Sequence, residues 1–380
     1  MKRKKVVFDV SYAASKNSSI IYTGIARISH ELALALYEKK DLLPFDLAFF
    51  VQNIHNIPSS LKTHFRKIYH FSLPRWRMVG RITEIVPLVE LITGADLIHS
   101  PGNATSVCLL NQVVLTIHDT IFLAYPEYHL HKSWKSNLII RQAHACRAIV
   151  TASESSKRDI VENFHVPAEK VTVIPWGYNA KLFYPELDSA SCSKRLIKNF
   201  NITRPYFLSV SCDTKRKNSE KLLNEYIKLL SSEPINDLVL VWQNPPKQIQ
   251  NLVKKEVYAN RIHLLEAITD VQLRDLYCGA TALFSPSSYE GFGLPVLEGM
   301  ACGVPVVTTE ATSLPEVGGD APLYVSTTET SEWFNAMRSF ENGILDIESM
   351  IRKGIERATK FSWGKCSDQI VKLYCKCLGL

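Results

Sequence analysis

Short apolar runs recur along this chain, each followed by a polar stretch and then by an apolar stripe at helical spacing. The first run is Val6-Val7-Phe8-Asp9-Val10, and others follow at 46–51, 95–99, 113–117, 148–153 and 171–174. Their length suits buried strands. Between them the period changes. Ile25, Ile28, Leu32 and Leu36 fall on one face of a helix that opens near Gly24, and 154–163 reads as a helix capped by Ser153. The alternation restarts at 206–211. Strands are expected at 237–242, 262–266, 282–284, 304–307 and 323–325, with helices at 219–230, 246–257, 269–277, 329–341 and 345–359. Strands that alternate with helices predict parallel sheets.

A length of 380 residues exceeds one ordinary core and suits two domains. The expected division is 1–180, a polar linker at 181–204, a second domain at 205–360 and a terminal helix at 361–380. No apolar run reaches the length of a membrane span. The basic start, Met1-Lys2-Arg3-Lys4-Lys5, leads into a strand and not into a signal-peptide core, so a cytoplasmic protein is expected. The nine cysteines are scattered without a C-x-x-C, which suits reduced thiols. The net charge of +7 fits an anionic substrate or an anionic membrane surface and does not by itself imply nucleic acid. One stretch concentrates that charge among aromatics and includes Arg75, Trp76, Arg77 and Arg81. It suits peripheral contact with an anionic bilayer, and it equally suits a solvated basic face around an ordinary helix.

The candidate chemistry centres on 282–307. Pro295 lacks a backbone donor and fits only the first turn of a helix, which therefore starts near Leu294 and stops near Gly303. Glu290 then lies in the loop before the helix, and Glu298 lies one turn inside it. Gly291 and Gly293 between them let backbone approach a ligand, and the helix N-terminus attracts phosphate. An anion site between two hydroxyl-accepting carboxylates matches a sugar joined through a diphosphate to a nucleoside. The plain structural alternative is a carboxylate favoured by the helix dipole and a solvated helical glutamate. Lys215-Arg216-Lys217-Asn218 follows the first strand of the second half, where cations are well placed to hold a diphosphate. His118 ends the strand at 113–117, on the side where open α/β sheets bind ligands, and can donate to a sugar hydroxyl. Asp119 either orients it or caps the next turn.

Glu290 and Glu298, seven residues apart around Gly-Phe-Gly-Leu-Pro, resemble the E-x7-E motif of family 4 of the retaining glycosyltransferases. Gly303-Val304-Pro305-Val306-Val307, Gly24-Ile25-Ala26-Arg27, Arg216-Lys217-Asn218 and the segment 309–321 match the same family, and the likeness covers nearly the whole chain. It is strongest over 206–325 and weakest over 40–95. An arginine that some members carry earlier in the 211–218 loop is absent here. The resemblance implies the α/β GT-B fold, two Rossmann-like parallel-sheet domains facing a central cleft. It implies that Glu298 accepts from the ribose and Glu290 from the donor sugar. Arg216 and Lys217, with the amides near Gly24, Gly291, Phe292, Gly293 and Leu294, would take the diphosphate, and His118 would face the sugar. Front-face displacement with the leaving phosphate as base is the expected mechanism. No D-x-D is present to hold a divalent ion between phosphates, so metal independence and no cofactor are expected.

Within the family the chain looks most like mannosyl- and rhamnosyltransferases of surface polysaccharide assembly. That implies a guanosine diphosphate sugar, with a uridine diphosphate sugar as the alternative. The acceptor would be a glycan, lipid-linked at the cytoplasmic leaflet. Two other classes compete. A nicotinamide-dependent oxidoreductase would need G-x-G-x-x-G after an early strand, where only Gly24 stands. A non-catalytic sugar-binding protein would not need the intact motif.

Overall fold

A computed structural model of the protein describes residues 3–13, 24–51, 61, 68–70, 87–105, 107–125, 133–210, 215–255 and 258–380. It divides into two units. The first runs to Gly177 and takes back Ser362–Leu380; the second holds Tyr178–Phe361. Arg75, Trp76, Arg77 and Arg81 lie outside the described residues.

The first unit is built on β1 (Lys5–Asp9), β2 (Asp46–Val51), β3 (Ile68–His70), β4 (Leu97–Ser100), β5 (Val113–Thr116), β6 (Ala148–Thr151) and β7 (Val171–Val173). They form one parallel sheet in the order β3-β2-β1-β4-β5-β6-β7. β4, β5 and β6 are buried at every position, which is why they read as unbroken apolar runs and not as alternation. The strand order reverses between β1 and β4. The carboxyl ends of these strands are where such sheets bind ligands. The C-terminal helix Trp363–Leu378 packs in this unit. Ser362 caps it by accepting from Lys365 N at 3.1 Å, and its buried Tyr374 bonds His99 Nδ1 at the end of β4.

The second unit carries β8 (Tyr206–Val210), β9 (Asp237–Val241), β10 (Ile262–Leu265), β11 (Ala282–Ser285), β12 (Val306–Thr309) and β13 (Leu323–Val325). This sheet is also parallel, in the order β10-β9-β8-β11-β12-β13, and it reverses between β8 and β11. Phe207, Phe284, Tyr226 and Trp333 anchor its core. Each such side chain contributes roughly 1.5–3 kcal/mol by leaving water. Because β8 and β11 are neighbours, the loops that leave their carboxyl ends meet. That single fact of topology assembles the site described below.

Two expectations need correction. The segment 181–204 is not a bare linker. It contains the helix Ser189–Phe200, capped by Asp188 Oδ1 accepting from Ser191 N at 3.0 Å. Cys192 and Leu196, one turn apart, are its buried face. Arg195 Nε and Nη2 each donate at 2.9 Å to Asp275 in the helix Asp270–Gly279, so the segment packs within the second unit. The strand expected at 304–307 begins two residues later, at Val306. Gly303 has φ +75°, Gly303 N donates to Met300 O, and Val304 N donates to Gly299 O, each at 3.1 Å. These two bonds close the preceding helix and leave Val304 unavailable to the sheet.

Candidate functional site

The loop after β11 is set by its punctuation. Gly293 has φ +103° and precedes the helix Leu294–Ala301, with Pro295 in the first turn. A Cβ at Gly293 would stand 2.9 Å from Leu314 Cδ2, so both its dihedral and its surroundings favour glycine. Phe292 is buried and packs edge-on against Phe361, with ring centroids 5.9 Å apart. Glu298, 3% exposed, lies one turn inside the helix, and Tyr277 Oη donates to its Oε2 at 3.2 Å.

The loop after β8 comes to meet it. Lys215–Lys217 forms a single 3-10 turn, and Asn218 takes φ +53° before the helix Ser219–Leu229. Asn218 Nδ2 donates to Pro286 O at 2.8 Å, and Ser288 N donates to Arg216 O at 2.7 Å. These backbone ties align the side chains. Lys217 Nζ lies 2.5 Å from Glu290 Oε1, and Arg216 Nη1 lies 2.9 Å from Glu290 Oε2. Arg216 Nη1 also donates to Tyr289 O at 2.8 Å.

Glu290 is 8% exposed and Lys217 is 7% exposed. Burial, the largest single influence, pushes the Glu290 carboxyl upward. Arg216 and Lys217 together outweigh it and hold the group at about 2. Two cations against one carboxylate leave a net positive charge in a largely buried place, beside a helix N-terminus. That arrangement attracts an anion. Beside it, a cavity of about 570 Å³ is lined by Ser288, Glu310, Thr312, Tyr324, Ser326 and Glu332, among others.

His118 stands in the first unit, two residues past β5, and is 7% exposed. Its Nε2 lies 2.8 Å from Pro101 O, its backbone N donates to Asn103 Oδ1 at 2.8 Å, and its ring sits 5.9 Å from that of Trp176. Burial lowers its pKa to about 4, so the ring is neutral near pH 7. A carbonyl only accepts, so the proton sits on Nε2 and leaves Nδ1 as an acceptor. The sequence reading made His118 a donor; the geometry makes it an acceptor. Asp119 Oδ1 accepts from Ile121 N at 3.2 Å, which is the capping alternative. Gly24 opens the helix Gly24–Glu38, is exposed, and leaves open space where a Cβ would be.

The structure adds residues that the sequence reading did not single out. Asp9 ends β1 at the reversal of the first sheet, is 3% exposed, and is raised by burial to about 6 against the bonds from Ser11. An acidic residue closing an apolar run was its only signal. Tyr277 and Thr312 gave none, because their partners lie 21 and 22 residues away. Among the described residues the cysteines Cys108, Cys146, Cys192, Cys278, Cys302, Cys366, Cys375 and Cys377 are free thiols. None of the helices there is long and apolar enough to cross a membrane.

Comparison with known proteins gives concordant results. Residues 193–357 match the family described as glycosyl transferases group 1, and residues 23–182 match glycosyltransferase family 4. The O-antigen chain mannosyltransferase B of Escherichia coli is 30% identical over 375 residues, covering 93% of this chain and 96% of the relative. The O-antigen chain mannosyltransferase RfbU of Salmonella typhimurium is 25% identical over 248 residues, covering 63% of this chain and 66% of the relative. Among solved structures, a sucrose-phosphate synthase from Thermosynechococcus elongatus superposes with a TM-score of 0.76 at 20% identity, over 99% of this chain and 100% of that one. The fold is that of the GT-B glycosyltransferases.

Proposed function

This chain belongs to glycosyltransferase family 4, and from that premise we propose that it moves a mannosyl residue from a guanosine diphosphate donor onto a glycan acceptor of a surface polysaccharide, with retention of configuration. The two O-antigen mannosyltransferases among its relatives support the sugar and the setting. The observation that carries the reading is Glu290 held between Lys217 and Arg216 beside a helix that buries Glu298. The two cations take the diphosphate and stabilise the negative charge that grows on it as the glycosidic bond breaks. Stabilisation of developing charge is usually the largest catalytic effect. Glu290, ionised throughout the physiological range, accepts hydrogen bonds from the donor sugar. Glu298 accepts them from the ribose. His118 offers Nδ1 to a substrate hydroxyl.

The mechanism uses no protein nucleophile. The leaving phosphate itself takes the proton of the acceptor hydroxyl as the new bond forms on the face it vacates. Lysine and arginine do the work that a divalent ion does elsewhere, so the activity is independent of metal and needs no cofactor. The acceptor is lipid-linked at the cytoplasmic leaflet, with the basic aromatic stretch around Arg75, Trp76, Arg77 and Arg81 at the bilayer surface.

The test is turnover of a panel of donors (GDP-mannose, UDP-glucose and UDP-N-acetylglucosamine) by the full chain, with and without EDTA, and by Glu290→Ala. GDP-mannose should be consumed, chelator should leave the rate unchanged, and Glu290→Ala should be slower by about 100-fold or more. Consumption of a UDP-sugar instead would replace the donor. A fully active Glu290→Ala would sink the assignment.

A further inference from the structure

Thr312 has φ +49°, a backbone setting that a β-branched residue rarely takes. The other non-glycine residues with positive φ among those described are His165, Asn201, Asn218, Glu233, Asn244 and Ala267, and none of them is β-branched. Strain of this kind persists only where the surroundings hold it.

The surroundings are Glu290. Thr312 Oγ1 accepts from Glu290 N at 2.9 Å and donates to Glu290 O at 2.8 Å. Ser313 Oγ donates to the same carbonyl at 2.8 Å, which is why it does not cap the short helix that follows it. Two further hydroxyls act on the same loop. Thr308 Oγ1 donates to Ser285 O at 2.9 Å, and Thr309 Oγ1 donates to Ser287 O at 2.6 Å. β11 and β12 pair only as far as Ser285 and Thr308. Beyond that point the strands part, and the backbone of 285–290 loses its sheet partner while remaining buried in large part. Side-chain hydroxyls from 308–313 continue the ladder on Ser285 O, Ser287 O and the N–H and C=O of Glu290, while the 215–218 loop takes Pro286 O, Ser288 N and Tyr289 O. The last rung is the strained one, and it meets both the N–H and the C=O of the residue whose carboxylate stands between Lys217 and Arg216.

We propose that Thr312 is a positioning residue for Glu290. Its hydroxyl stands in for a peptide group, fixes the Glu290 backbone in both directions, and so sets where the carboxylate reaches. This rests on the reading of Glu290 given above. Only serine or threonine can both donate and accept there within the same space.

The experiment compares Thr312→Val, Thr312→Gly and Thr312→Ser in the full chain, with Glu290→Ala alongside. It measures release of nucleoside diphosphate from the donor that the panel selects, and the Kd of the free nucleoside diphosphate by calorimetry. Thr312→Val and Thr312→Gly should lose about 10- to 100-fold in kcat, because a small misplacement of a reacting group costs that much. Donor KM and nucleoside diphosphate Kd should stay within about threefold of the parent, and Thr312→Ser should keep most of the rate. If valine prevents folding, the glycine variant carries the test, since it removes the hydroxyl and relieves the positive φ together. Amide exchange at Glu290 reads the same bond without any donor: it should quicken in the valine and glycine variants and stay slow in the serine variant. Wild-type kcat in Thr312→Gly, or a serine variant as slow as valine, overturns the proposal. An active Glu290→Ala would instead overturn the role of Glu290 itself.

Discussion

Lys217 Nζ stands 2.5 Å from Glu290 Oε1, although the two residues are 73 positions apart in the chain and each is more than nine-tenths buried. A buried ion pair is a weak source of net stability, yet breaking it from one side is costly because the other charge is left behind. Here the remaining cation, Arg216, still reaches Oε2 at 2.9 Å. One positive charge neutralises the carboxylate, and in the function proposed above the second serves the diphosphate.

Lys217→Met separates these two roles. The variant should fold with a stability loss on the order of 3 kcal/mol, since Glu290 keeps one partner. Turnover should fall by about 100-fold or more, because charge on the leaving diphosphate loses a donor. Thermal unfolding and donor consumption measure the two effects on the same sample. A variant that is destabilised and fully active would make Lys217 a structural counter-ion only.

Tyr277 Oη donates to Glu298 Oε2 at 3.2 Å. Tyr277→Phe removes one hydrogen bond to the carboxylate assigned to the ribose. Donor KM should rise about 3- to 10-fold with kcat within about twofold, the signature of lost binding shared by ground state and transition state. A fall in kcat at unchanged KM would move Glu298 into the chemical step.

His118 gives a pH dependence of definite sign. Its folded pKa is depressed from 6.5 to about 4. Between those values the unfolded chain binds a proton that the folded chain does not, so stability rises with pH across that window. The contribution is fully present above pH 6.5 and is lost as pH falls from 6.5 toward 4, by an amount of up to about 3 kcal/mol. Urea unfolding at pH 7 and pH 4.5 should show a smaller difference for His118→Gln than for the parent chain. His99, depressed to about 3 by burial and secondarily by the neighbouring His118, adds to the pH dependence of both proteins, and the comparison reads His118 together with that smaller influence on His99. Equal differences would mean that His118 titrates normally.

Much of this site was legible because backbone chemistry punctuates it. Gly293, Pro295 and Gly303 can occupy few other roles, and from the sequence alone they place Glu290 in a loop and Glu298 in a helix. Uninterrupted apolar runs located the parallel strands for the same reason: both faces of each are covered. What was hidden is long-range. Nothing local joins Arg216 and Lys217 to Glu290; the adjacency of β8 and β11 does. The bonds from Thr312 and Ser313 to the Glu290 carbonyl had no local signal, because Glu290 lies 22 and 23 residues back. The tautomer of His118 depends on the Pro101 carbonyl, 17 residues away. The helix Ser189–Phe200 was masked by composition, since only Cys192 and Leu196 are buried in it.

The central claim, a diphosphate gripped by Lys217 and Arg216 with a carboxylate on the polyol at either side, is tested most directly by a crystal structure of the full chain with the intact donor selected by turnover. The account predicts diphosphate oxygens at about 3 Å from Lys217 Nζ and the Arg216 guanidinium, with Glu290 on a hydroxyl of the sugar and Glu298 on the ribose. A donor bound elsewhere, with both cations still closed on Glu290 and Glu298 bonded only to protein, would contradict it.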